Sequence, residues 1–151
     1  MSAAPAPAAR GAGLADLDTE RGVLGGLLLH PTMLPTAIAD RVTPATFAAP
    51  GHAAMFAAVV RLGSGPILDA PASAVVDELQ RAGDLPLAGG PAGVVGLLIV
   101  ALRPSLLPLA WERLTTLAAA RAVQRVLREA QDRVERDPVG AAEVLGALRA
   151  A

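Results

Sequence analysis

The sequence predicts an all-α protein: a small helical globule of about six helices followed by a long antiparallel helical hairpin. Three observations lead there. No useful stretch alternates apolar and polar residues with the period of two that a half-buried strand needs. Of the 151 residues, 53% are hydrophobic but only 2% aromatic, so the core must be built from Leu, Val, Ile and Ala, which suit closely packed helices better than a β-sandwich. Apolar residues also recur every three or four positions along most of the chain, the spacing of one helical face.

Residues 1–15, "MSAAPAPAARGAGLA", read as a disordered Ala/Pro/Gly leader. Residues 16–103 make the globule. Asp16 or Asp18 caps a first helix with Leu17, Leu24, Leu27 and Leu28 on its apolar face, and "HPT" from His30 ends it. A short helix follows over Leu34 to Val42, with Pro35 in its first turn. "TPATF" is a single turn that carries Phe47 inward, and a helix from Pro50 to Leu62 places Met55, Phe56, Val59 and Leu62 on one side. After the loop "GSGPILDAP", Asp69 or Ser73 opens an amphipathic helix with Val75, Val76 and Leu79 facing in, and Gly83 supplies its left-handed stop. "AGVVGLLIVAL" is apolar nearly all round, as expected of a helix buried on several sides.

Residues 104–151 form the hairpin. Leu107, Trp111, Leu114, Leu117, Ala120, Val123, Leu127, Ala130 and Val134 step by three or four along one helix of about 25 to 30 residues. Asp137-Pro138 provides a cap and a first-turn proline for a last helix carrying Val144, Leu145 and Leu148 on one face. A stripe this long exceeds what a small globule can cover, so the hairpin is expected to pair with another chain.

Charge and composition exclude several classes of function. With 13 Lys+Arg against 14 Asp+Glu the net charge is −1, which exerts no overall pull on nucleic acid or anionic membrane. The chain has no cysteine, which removes disulfides, thiolate nucleophiles and Cys-ligated metals and fits a cytoplasmic protein. Mean hydropathy is +0.48, yet "GVLGGLLL" and "VVGLLIVAL" are each about half the roughly 20 apolar residues of a spanning helix. No membrane association is expected. There is no lysine, so a P-loop, whose lysine reaches the phosphates, is absent. "GAGLAD" and "GGPAGVVG" lack the preceding strand of a dinucleotide fingerprint.

Ser64, Ser73 and Ser105 sit where caps and loops explain them, without a G-x-S-x-G elbow to serve a triad with His30 or His52. The two histidines have no i,i+4 His partner and no clustered carboxylates, so no metal or other cofactor is expected. "FAAPGHAAMF" gathers both phenylalanines and His52 within ten residues; a histidine that ties a helix start by hydrogen bonds accounts for it. Arg121, Arg125 and Arg128 share one helical face and could contact phosphate, but Glu129, Asp132 and Glu135 lie within reach of that row or of Arg133 and Arg136. A solvated, salt-bridged face is the expectation, with nucleic-acid binding as the alternative.

Four motifs in register resemble the N-terminal domain of DnaB-type replicative helicases. "ERGVLGGLLL" is similar to that family's first-helix signature, through Glu20, Leu24 and Gly25. "FAAPGHAAMFAAVVRL" follows its F-x4-H-x3-F pattern at Phe47, His52 and Phe56. "VVDELQRAGDLPLAGG" resembles its next block, with the Gly83 stop and the pair Gly89-Gly90, although Gly93 stands where the family commonly has an aromatic. "LRPS", followed by a long helix bearing Arg121, resembles the entry to its hairpin. The resemblance spans about Asp16 to Ala151 and implies a hairpin that dimerises, in the helicase building an N-terminal collar on which the C-terminal domain of primase docks. The implied partners are therefore a second copy, as homodimer or higher ring, and primase or a replicative helicase. It implies no catalysis for this segment, because ATP hydrolysis belongs to a RecA-like motor outside these 151 residues. The residues expected to face a partner are Leu114, Leu117, Ala120, Val123, Leu127, Ala130 and Val134.

Overall fold

In the computed structural model, which describes residues 12–63, 65 and 71–150, Asp16 opens the first helix, its carboxylate accepting from the Thr19 N–H at 3.1 Å. That helix, α1 (Leu17–Leu29), is almost wholly enclosed: Val23, Leu24, Leu27 and Leu28 are at most 1% exposed. Leu17, expected on the same face, lies half exposed at the first turn. The helix stops at His30. A 3-10 turn, Pro31–Met33, then leads into α2 (Leu34–Ala39).

The second helix ends three residues before the predicted Val42. Arg41 takes a left-handed conformation, φ 65°, and its N–H bonds back to Ile38 O while that of Val42 bonds to Ala37 O. This is a Schellman stop with arginine in the place usually held by glycine. The 3-10 turn Pro44–Thr46 and the buried Phe47 match the expected single turn, as α3 (Pro50–Leu62) matches the expected helix.

α4 (Pro71–Ala82) begins ahead of Ser73, which is therefore inside the helix and not its cap; Asp69, the other candidate, lies outside the described residues, as do residues 1–11 of the predicted leader. The last part of that leader, Ala12–Leu14, forms a 3-10 turn. Gly83 stops α4 with φ 78°, its N–H on Gln80 O and that of Asp84 on Leu79 O, as its position in the sequence suggests.

α5 (Gly90–Leu97) corrects the expectation of a long buried helix through "AGVVGLLIVAL". It is only eight residues long, and Val95, Ile99 and Val100 are 50%, 86% and 39% exposed. The helix stops because the chain must turn back onto α1. Leu102 N donates to Gly22 O at 2.9 Å, and Ala101 Cα would lie 2.9 Å from a Cβ placed on Gly25. Only glycine permits that approach, since the same Cβ would run into the Leu97 carbonyl. α3 packs on α1 and α4, and α5 on α1 and α4.

The chain divides into two compact units, residues 1–118 and 119–151, so the division falls inside a helix. That helix, α6 (Leu107–Arg136), has the predicted length at 30 residues, and its first two turns complete the core of the first unit through Leu107, Trp111 and Leu114, all at most 1% exposed. A single residue, Asp137, separates it from α7 (Pro138–Ala150). Asp137 caps α7 as expected, its carboxylate accepting from Gly140 N at 2.9 Å. Every regular element among the described residues is helical. No single helix among them is long and apolar enough to cross a membrane.

Candidate functional site

Two features of the structure bear on function: a buried polar clasp that sets the geometry of the first unit, and an uncovered apolar surface in the second. The clasp centres on Glu20, whose side chain is fully buried among the leucines of α1. Its Oε1 accepts from the Ala48 N–H at 2.6 Å, and its Oε2 accepts from the Ala49 N–H at 3.3 Å and from His52 Nδ1 at 2.7 Å. Ala48 and Ala49 immediately precede α3 and His52 lies in its first turn, so a carboxylate from one helix ties down the start of another, at the end where the helix dipole also favours negative charge. Burial alone would raise the Glu20 carboxyl; the bonds from His52, Ala48 and Ala49 outweigh it and hold the group below the ordinary glutamate range.

The aromatic pair closes over this junction, with Phe47 and Phe56 ring centres 5.1 Å apart and tilted by 33°. Gly51 is required beside it, because a Cβ there would overlap the Leu87 carbonyl. His52 thus ties a helix start, the role its position suggested. In the sequence its partner Glu20 stands out only by its place in a family signature. The signal for its role was present: Glu20 lies one turn before Leu24 and two before Leu27, on the face that the apolar spacing sends inward. A carboxylate on a buried face must find donors.

Two further polar anchors join residues far apart in the sequence. Trp111 Nε1 donates to Asp40 Oδ2 at 2.9 Å, satisfying the one indole in the chain. Arg113 Nε donates to Asp16 Oδ2 at 2.7 Å, and that bond, followed by the Thr19 amide, keeps the Asp16 carboxyl below its usual range. Both tie α6 to earlier segments of the first unit.

The motif residues occupy structural positions. Leu24 lies in the core and Gly25 at the α1 crossing; Gly83 and Gly89 have φ 78° in turns, and Gly90, the first residue of α5, has φ 71°. The residues expected to face a partner divide. Leu114 is fully buried in the core of the first unit and Leu117 is half-buried, because the first turns of α6 face inward there; Leu114 is unavailable to a partner. Ala120 is half-buried, while Val123, Leu127, Ala130 and Val134 are exposed, the three large ones by 49–60%. α7 buries no side chain at all, and Val139, Val144, Leu145 and Leu148 are 57–70% exposed. Among the described residues, the apolar rows of α7 and of α6 beyond Ala120 therefore stay exposed.

The arginine row is a mixed surface. Arg125 lies 3.9 Å from Glu129, and Arg136 lies 4.0 Å from Asp132. Arg121 is half-buried and engaged, and Arg128 is exposed. Among the described residues no three His, Asp or Glu side chains converge as metal ligands would.

Comparison with known proteins gives a consistent result. The sequence model of the DnaB-like helicase N-terminal domain family matches residues 13–104. Among solved structures, the N-terminal domain of DnaB helicase from Mycobacterium tuberculosis is similar over 90% of this chain and 94% of that one, with 29% identity and a TM-score of 0.68. No curated protein matches.

Proposed function

Because the chain belongs to the DnaB-like helicase N-terminal domain family, we propose that it is a non-catalytic docking domain of the DNA replication machinery, which pairs with a second copy through α6 and α7 and presents the resulting collar to primase. The observation that carries this reading is the apolar surface of residues 123–148, whose Val123, Leu127, Val134, Val144, Leu145 and Leu148 stay 49–69% exposed. Exposed aliphatic rows of this length on soluble helices mark interaction surfaces, since burying them against a partner removes apolar area from water. The sequence spacing 120, 123, 127, 130, 134 is the alternation of three and four that packs one helix against another.

The primase end of the proposal rests on the family and on the spare surface that a collar offers. Against the nucleic-acid alternative stand the carboxylates beside Arg125 and Arg136, which dilute the positive face.

Sedimentation velocity on the purified chain, alone and with the C-terminal domain of primase, tests both parts. Concentration-dependent dimers, and a further species when primase is added, are expected. A strict monomer at high micromolar concentration would overturn self-pairing, and an unaltered profile with primase would overturn docking. Steeply salt-dependent binding to single-stranded DNA would favour the arginine face instead.

A further inference from the structure

We draw no further inference here: the strongest candidate, the apolar groove beside the first turns of α6 lined by Leu102, Leu106, Leu109 and Ala110, carries nothing because the structure does not show what covers it.

Discussion

Glu20 has to be a carboxylate, because the three groups around it are all donors. Two backbone amides and His52 Nδ1 point at its oxygens, and a neutral side chain in that place would leave at least one of them unmet. Replacing Glu20 with Ala should therefore cost about 3 kcal/mol, since it strands buried donors as well as removing bonds. His52→Ala removes one charge-assisted bond and leaves the two amides capped, so about 2 kcal/mol is expected. Urea unfolding followed by circular dichroism checks the order; His52→Ala costing more than Glu20→Ala would contradict the clasp. Binding of the folded His52→Ala protein to its partner should be unchanged.

The same residues set an acid dependence. Glu20 and Asp16 titrate lower in the folded chain than in the unfolded one, so each adds stability above the ordinary carboxylate range. That contribution is lost as pH falls through the ordinary range toward the lowered folded values. Stability should decline on acidification over this window, and Glu20→Gln should flatten part of the decline. An identical slope in the variant and the parent would show that Glu20 is not the group responsible.

Among elements, the places where helices stop carry the fold. The Gly83 stop was legible from one residue, because a glycine directly after a run of helical spacing marks a left-handed cap. The Arg41 stop was not, because arginine carries no such signal, and so α2 was read three residues too long. A left-handed arginine is strained where glycine is not. Arg41→Gly should therefore raise stability by roughly 0.5–1 kcal/mol after the extra freedom of the unfolded glycine is counted, read as a higher urea midpoint. Gly25 is the opposite case. A methyl group there meets the Leu97 carbonyl and Ala101 Cα, both backbone, so Gly25→Ala should destabilise by about 1–3 kcal/mol despite alanine's better helix propensity. A stabilised Gly25→Ala protein would mean that α1 and the segment after α5 lie further apart than described. The overlong reading of α5 has the same root. "GVVGLLIVAL" reads as helix throughout, but the close crossing at Gly22 and Gly25 draws Leu102 onto α1 and ends it at Leu97.

At the scale of the whole molecule, the prediction concerns the surface left open. Val123→Asp combined with Leu127→Asp places two charges in the exposed stripe of α6, and neither residue supports the core of the first unit. On the proposed pairing, the double variant should remain monomeric at concentrations where the parent forms dimers, with the parent's unfolding transition at low concentration. Equal dimerisation of the two would move the pairing surface elsewhere. The sequence by itself determined the helical class, the order of the helices, a length of about 25 to 30 residues for α6 and the cap at Asp137, because spacing, caps and breakers act within a few residues along the chain. Tertiary structure alone decided that Glu20 meets His52 across 32 positions, that Trp111 finds Asp40 across 71, and that Leu114 goes to the core while Leu127, further along the same helix, does not. Periodicity tells which side of a helix is apolar. What that side meets depends on neighbours distant in sequence, and among the described residues the end of α6 and α7 keep their large apolar side chains exposed.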